Sequence, residues 1–344
     1  GTRELLASPE GLPVNIVYLI EGEEEVGSNN LNSFLRKNRD LFRCDVAVVS
    51  DSAMIVSGVP TLAYALRGIA VMEVEVTGPS QDLHSGVFGG AVANPATAAA
   101  RMIASLHDGE GRVAIEGFYD RVKPMHPWEM EISAQRPVGE EAILKETGAP
   151  ELWGESGFDA WQRTGARPTA EINGMGGGYQ GEGSKTVLPS KAFFKLSFRL
   201  VPDQSGEEIL DLAERHFRKH CPPGVRISMQ RIHAGEPYFV DPHTPYALAA
   251  RKAMESVFGR PPFLLREGGS IPIIHDFREE LGVDCLLLAL GSPDSNVHAP
   301  DENFPLSHLE KGIELHKALL RELAQSGYRG DVSPEAVSRN AGVA

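Results

Sequence analysis

The sequence predicts an α/β fold, a mixed, mostly parallel sheet flanked by helices, interrupted by an inserted α+β domain. Three observations carry this. Short apolar runs at Val14 to Ile20, which is β-branched as well, Asp45 to Ser50 and Asp284 to Leu290 read as strands buried on both faces, the pattern of a sheet covered by helices on either side. Between them, IAVMEVEVTG, KAFFKLSFRLVPD and VRISMQRI alternate apolar and polar residues, as antiparallel strands with one wet face do. After Pro242 the helix and buried-strand pattern returns, so the middle segment reads as an insertion. The expected organisation is an outer domain at 1–66, the inserted domain at 67–240, the outer domain again at 241–326 and a weakly structured tail at 327–344.

The elements follow in order. Val14 to Ile20 is bounded by Pro13 and by the acidic loop EGEEEVGS at 21–28, and Asn29 to Phe42 reads as a helix. DVAVVS then forms the second buried strand, with Asp51 at its carboxyl end, as Glu21 to Glu25 stand at the end of the first. Ligand sites of open α/β sheets gather at those ends. The pattern changes near Arg67, where the alternating strands begin. Asn94-Pro95 caps an Ala-rich helix running to about Leu106. From Gly109 to Gly183 periodicity is poor, which predicts long connections with short helices. The glycines of NGMGGGYQGEG lack phosphate-loop or dinucleotide spacing and read as a flexible connection. SGEEILDLAERHFRKH is an amphipathic helix with a serine cap and an early acidic pair. Helices at Tyr246 to Phe258, Ile273 to Leu281 and Ser307 to Leu323 complete the second part of the outer domain.

Composition narrows the function. With 344 residues, 42% hydrophobic and 23% charged, the chain can build two cores. A net charge of -14 argues against a nucleic-acid or anionic-membrane partner, because either needs a basic face to displace counterions. Cys44, Cys221 and Cys285 have no CxxC spacing and point to buried thiols in a reducing compartment. No apolar run nears the ~20 residues that cross a bilayer, and no signal-peptide pattern opens the chain, so the expected location is cytoplasmic. The chain begins at Gly1, close to what reads as an interior strand, which is expected of a fragment.

Glu24 and Glu25 are the leading candidates for chemistry. A carboxylate bound to a metal cannot shuttle protons, whereas its unbound neighbour can hold a water and act as general base. An acidic cluster of this kind is also the composition of a solvated loop. His298, in GSPDSNVHAP, follows the buried strand Asp284 to Leu290, so with Asp51 and the glutamates three distant segments converge on one sheet edge. Carboxylates with neutral imidazole and no thiolate suit zinc, manganese or cobalt.

Taken together, EGEEEVGS, VVSD, ALRGIAVMEVEVTGPSQDLHSGVFGG, KTVLPSKAFFKLSFRLVPDQ, REGGSIP and GSPDSNVHAPDENF resemble the dinuclear metallopeptidase family of carnosinase and cytosolic non-specific dipeptidase. Aminoacylase, carboxypeptidase G and succinyl-diaminopimelate desuccinylase belong to the same wider family. The resemblance runs from about Val14 to Leu323, and DLHSGVFGG with REGGSIP points to its dipeptidase branch. It implies a homodimer formed through the inserted lid and dimerisation domain, two divalent metal ions per protomer (zinc first, manganese or cobalt as alternatives) and a small peptide substrate. Glu24 resembles the base that deprotonates a metal-bridging water and protonates the leaving amine. Glu25 and His298 resemble ligands of one metal, and Asp51 a ligand of the other. His84 resembles a residue that supports the oxyanion in the partner protomer's site, a role suited to a donor aimed at transition-state charge. As a turn residue it could equally cap a loop. Arg199 resembles the grip on the substrate carboxylate, and an alternating strand could equally present it as a surface charge. Gly268, Gly269 and Ser270 offer close backbone donors to a substrate carboxylate or carbonyl, or form a tight turn before Pro272, and Glu267 beside them orients a ligand or the substrate amine.

The family's His-x-Asp motif and its metal-bridging Asp are not in the chain, whose 11 histidines include no His-x-Asp. The resemblance places them upstream of Gly1, so the polypeptide as given is expected to lack part of the metal cage and to be inactive alone. The readings left open are a dipeptidase, an N-acyl amino acid deacylase on the same site, and a non-catalytic dimeric binding protein.

Overall fold

A computed structural model describes residues 1–326, and the tail expected at 327–344 lies outside the described residues. The chain divides into two compact units, the first comprising Gly1–Leu66, His126–Glu141 and the chain from Tyr238 onward, the second Arg67–Met125 and Ala142–Pro237. Its strands are β1 (Ala47–Val49), β2 (Thr61–Leu66), β3 (Gly68–Thr77), β4 (Leu83–His84), β5 (Thr169–Gly177), β6 (Val187–Leu188), β7 (Lys191–Leu200), β8 (Arg226–Gly235), β9 (Tyr238–Phe239), β10 (Phe263–Glu267) and β11 (Cys285–Ala289).

In the first unit the sheet order is β1-β11-β2-β10, with β9 also on β2. The TLAYAL sequence of β2 is buried at every position. Its Thr61 hydroxyl is satisfied locally: Thr61 Oγ1 accepts from the Ile55 N–H and donates to the Val59 carbonyl, both at 3.0 Å. Helices Pro245–Phe258 and Leu306–Gln325 supply Ala250, Met254, Leu315 and Leu319 to the same core as Leu62, Leu264 and Leu287. The returning segment His126–Glu141 is anchored there too. Trp128 packs at 5.2 Å from the Tyr64 ring and 5.1 Å from His243, and the buried Glu129 carboxylate holds Tyr64 and Arg266.

The expectation of a mostly parallel sheet is corrected. β1 with β11 and β2 with β10 are parallel, whereas β11 with β2 and β2 with β9 are antiparallel. An apolar run reports burial on two faces, and burial does not itself encode strand direction. Val14 to Ile20 is also not a strand; it is unpaired, with Val17 51%, Tyr18 61% and Ile20 88% exposed. β-Branched composition fits a pleated, half-buried surface, and without ladder partners among the described residues it makes no strand. β1 lies at the edge of the sheet, with Val48 42% exposed, rather than buried on both faces. Of the three cysteines, Cys285 is buried, Cys44 is exposed and Cys221 is intermediate.

The second unit is antiparallel throughout its main sheet, ordered β5-β7-β3-β8. β3 alternates buried and half-buried residues without a break, so Ala70, Met72, Val74 and Val76 face one core. Helix Pro95–Ala104 covers that core with Ala98, Ala99 and Met102, its first turn fixed by Pro95 and by Asn94, whose side chain accepts from the Ala96 N–H at 2.9 Å. Helix Gly206–His220 adds Ile209, Leu210, Ala213 and Phe217, one stripe of a 3.6-residue period, with glutamates in its first turn and basic residues in its last. Phe217 meets Phe194 edge to face at 5.2 Å, worth about 0.5–1.5 kcal/mol beyond area burial.

His216 lies in the same core, its Nε2 2.9 Å from Ser105 Oγ. Burial first, then the charges of His220 and Lys219, lower its pKa to about 4. The folded state therefore binds this proton less readily than the unfolded chain. The stabilising contribution is complete above the ordinary value of 6.5 and is lost as pH falls toward about 4. His216→Gln is expected to flatten the acid limb of the stability curve in that window, measured by urea midpoints across pH. An unchanged slope would remove His216 as a source of acid sensitivity.

NGMGG, expected in a flexible connection, is instead the end of β5. A Cβ on Gly176 would stand 2.6 Å from the Phe193 ring, and one on Gly177, where φ is +147°, 2.7 Å from the Ala192 Cβ. Glycine is present because the neighbouring strand's side chains fill the space. Gly177→Ala is expected to cost about 1–3 kcal/mol, whereas Gly174→Ala, which meets only the Lys195 Cδ at 3.9 Å, should fall within about 0.5 kcal/mol of wild type. Paired urea titrations decide, and equal losses would refute the packing explanation.

Candidate functional site

EGEEEVGS folds as a brace carrying two carboxylates, Glu24 and Glu25, that take no part in bracing it. Glu24–Val26 forms a single 3₁₀ turn, closed by Gly27 at φ +93° and Ser28 at φ +48°. Glu21 accepts from Ser28 Oγ at 3.3 Å, and Glu23 accepts from Asn30 Nδ2 at 2.8 and 2.9 Å. Two of the four acids are thereby used to shape the loop. Among the described residues the Glu24 and Glu25 carboxylates accept no hydrogen bond.

His298 comes to this pair from the other end of the chain. Its Nε2 lies 3.7 Å from Glu25 Oε2. The loop that presents it is strained, with Asn296, His298 and Asp301 all at positive φ. Asn303 holds it by donating its backbone N–H to the Ser295 carbonyl at 2.9 Å and its side-chain amide to the Asp294 and Asp301 carbonyls, both at 3.3 Å. Beyond β1 the Ser52 carbonyl accepts from Leu290 and Gly291, so the turn bearing Asp51 is joined to the start of the His298 loop. Partial desolvation first, then the charges of Glu25, Asp51 and Glu21, raise the pKa of Glu24, with His298 opposing. Glu24, Glu25, Asp51 and His298 thus share one electrostatic environment.

Glu267 stands at the end of β10, where its Oε1 accepts the backbone N–H groups of Gly268 at 3.0 Å and Gly269 at 3.4 Å. The glycine donors converge on a carboxylate that belongs to the loop itself. The elements following the two loops are joined: Asn32 donates to Asp276 at 3.1 Å, and Arg36 and Arg39 both pair with the buried Glu280. Ser270 closes the same loop, ahead of helix Pro272–Asp276.

His84 and Arg199 lie in the second unit. His84 caps the short helix Ser85–Phe88, its Nδ1 accepting from the Gly86 N–H at 3.1 Å. In the neutral ring this bond places the proton on Nε2, leaving an exposed donor. Arg199 is half-buried on β7, opposite Ile69 and Thr169, and burial lowers its pKa.

Carboxylate and imidazole are the right donors for a divalent ion, and Glu25 with His298 fits one side of such a site. Among the described residues no group of three or more His, Cys, Asp or Glu side chains is placed to hold a metal. What sequence reasoning missed is the support: Glu21 with Ser28, Glu23 with Asn30, and Glu129 with Arg266 directly before Glu267. A glutamate three residues after the cap of helix Pro127–Ala134 was the one available signal for the last of these.

A mixed α/β sheet with an antiparallel unit placed between its sequence segments defines an inserted-domain α/β chain. Residues 64–225 match the peptidase dimerisation domain of the M20 family. The chain is 34% identical over 309 residues to a Cys-Gly metallodipeptidase of Candida albicans, covering 88% of this chain and 64% of the relative. It is 32% identical over 326 residues to the Cys-Gly metallodipeptidase of Saccharomyces cerevisiae, covering 93% and 68%. The crystal structure of human carnosine dipeptidase 1 superposes with a TM-score of 0.77 at 29% identity, covering 92% of this chain and 67% of that one. The chain belongs to the M20 peptidase family and spans about two thirds of the length of these relatives. No described helix is long and apolar enough to cross a membrane.

Proposed function

We propose that the protein is a metal-dependent dipeptidase that hydrolyses the amide bond of dipeptides or similarly small peptides, with Glu24 as general base. One observation carries this reading: Glu25 and His298, distant in sequence, meet at 3.7 Å beside a Glu24 carboxylate that accepts no hydrogen bond among the described residues. When bound, divalent metal would acidify the attacking water and polarise the carbonyl. Glu25 and His298 would hold one ion and Asp51 would contribute to a second, with zinc first and manganese or cobalt accepting the same donors. Glu24 takes the water's proton on a carboxylate oxygen and delivers it to the leaving amine. His84 Nε2–H is the donor for the carbonyl oxygen, offered to the partner protomer of a homodimer formed through the second unit. The Gly268 and Gly269 donors of the Glu267 to Ser270 loop hold the substrate's carboxyl end, which must displace Glu267 from them; Arg199, in the second unit, is a separate candidate for gripping a substrate carboxylate. Free cysteines support a cytoplasmic setting.

The test is a substrate panel on the longest form of the protein that its gene encodes, loaded with zinc, manganese or cobalt. Cys-Gly and β-Ala-His, the dipeptides named for relatives, are compared with N-acetyl amino acids. Turnover of dipeptides that chelation abolishes is expected. Turnover confined to N-acetyl amino acids would replace the dipeptidase reading with a deacylase, and none on either set would refute both.

A further inference from the structure

At the amino-terminal end of β10, opposite the end that carries Glu267, lies a cavity of about 280 Å³. It is built within the first unit by Ile132, Gln135, Arg251, Arg260, Pro262 and Phe263, among others. The sequence explains its walls. Gly259 at φ +72° ends helix Pro245–Phe258 and turns the chain into Arg260-Pro261-Pro262. Two consecutive prolines are rigid and offer no N–H, so polar recognition there falls to Gln135, Arg251 and Arg260.

Elsewhere in the first unit Arg36, Arg39, Arg266 and Arg278 each sit on a carboxylate. Among the described residues Arg260 makes no ion pair or hydrogen bond, and Arg251 makes one bond, from Nη1 to the Pro242 carbonyl at 3.4 Å. Glu255, one turn beyond Arg251 on the same helix, does not pair with it. In a protein of net charge -14, with acids abundant, Arg251 and Arg260 both line one cavity, and among the described residues neither is paired with a carboxylate.

We propose that this cavity is a binding site for a small organic anion, a carboxylate or phosphate carried on a compact apolar group. Arg251, Arg260 and Gln135 would take the anionic head, since guanidinium matches either oxyanion with paired N–H donors. Ile132, Pro262 and Phe263 would cover the apolar body. The volume lies near the lower end of the roughly 300–1,000 Å³ common for ligand pockets, which limits the body to about one ring or a short branched chain.

Phenyl phosphate and benzoate, titrated calorimetrically and by amide NMR, test this, with benzyl alcohol as the uncharged control and inorganic phosphate as the bare head. At least one aromatic anion is expected to bind saturably, more tightly than either control, with shifts centred on Gln135, Arg260 and Phe263. The stronger of the two identifies the head group. The double variant R251Q/R260Q should weaken binding about tenfold or more, since hydrogen bonds to charged groups are lost, while its melting curve matches wild type. Should that variant melt early, the single substitution Arg260→Gln, at an exposed side chain with no partner to lose, gives the same comparison. Saturation by neither anion, equal affinity for benzyl alcohol, or affinity unmoved by the arginine substitutions would overturn the proposal. Glu24→Gln should leave this binding intact, which separates it from the hydrolytic site.

Discussion

Glu24→Gln is expected to lower kcat for dipeptide hydrolysis by about 10²–10⁴-fold, the usual worth of a positioned general base, while metal content measured by atomic emission stays at the wild-type level. The substitution keeps shape and removes only the ability to hold a proton. Because no hydrogen bond ties the Glu24 carboxylate to the loop, the brace made by Glu21 with Ser28 and Glu23 with Asn30 should survive. The Glu25 to His298 approach does not pass through Glu24 either. KM is expected to change far less than kcat, since the carboxylate acts on the water and not on the substrate's carboxyl end. Wild-type turnover would reject the base assignment. Loss of metal together with turnover would assign Glu24 as a ligand instead.

Glu129→Ala is expected to destabilise the first unit by about 3–5 kcal/mol, as removal of one partner from a buried ion pair does. The Glu129 side chain is 1% exposed. It accepts from Tyr64 Oη at 2.9 Å, Arg266 Nε at 2.7 Å and the His126 N–H at 2.6 Å. Truncation strands a mostly buried guanidinium, a phenol and a helix-start amide together. Replacing Glu129 and Arg266 jointly by methionine should cost less than Glu129→Ala alone, because the desolvated charge goes with its partner. Trp128, 5.2 Å from Tyr64, reports unfolding of this region by fluorescence during urea titration. A loss below about 1 kcal/mol would mean that solvent reaches the pair and screens it.

These effects divide along the line between what a pattern encodes and what assembly decides. β3, β7 and β8 were legible because alternation is a direct record of one wet face. Helix Gly206–His220 was legible for the same reason at a period of 3.6. The direction of β11 was not, since CLLLA is equally at home beside a parallel or an antiparallel neighbour. Val14 to Ile20 has strand composition and no ladder partner among the described residues, so propensity had nothing to act on. In β5, glycines that look like a linker are a packing solution set by Phe193 and Ala192, residues on another strand.

At the candidate site, the acidic loop, Asp51 and His298 were singled out because chemistry restricts which side chains serve a divalent ion. Which acids are spent on structure could not be found that way. Glu21 and Glu24 are the same residue type three apart, and it is the hydrogen bond from Ser28 that marks Glu21 as part of the brace. Glu267 shows the converse, a carboxylate expected to face a ligand that the fold turns onto its own loop.

β2 has a history as well as a position. It is covered on both edges by β10 and β11, which the ribosome makes roughly two hundred residues later. At about 5–20 residues per second that interval is on the order of 10–40 s. For that time a six-residue strand, apolar but for the Thr61 and Tyr64 hydroxyls, has two open edges, the condition under which nascent chains pair with one another. The second unit, whose sequence emerges in the meantime, can fold first; completion of the first must wait for β10 and β11. Yield in the cell should therefore depend on chaperone capacity more than the finished protein's stability would suggest.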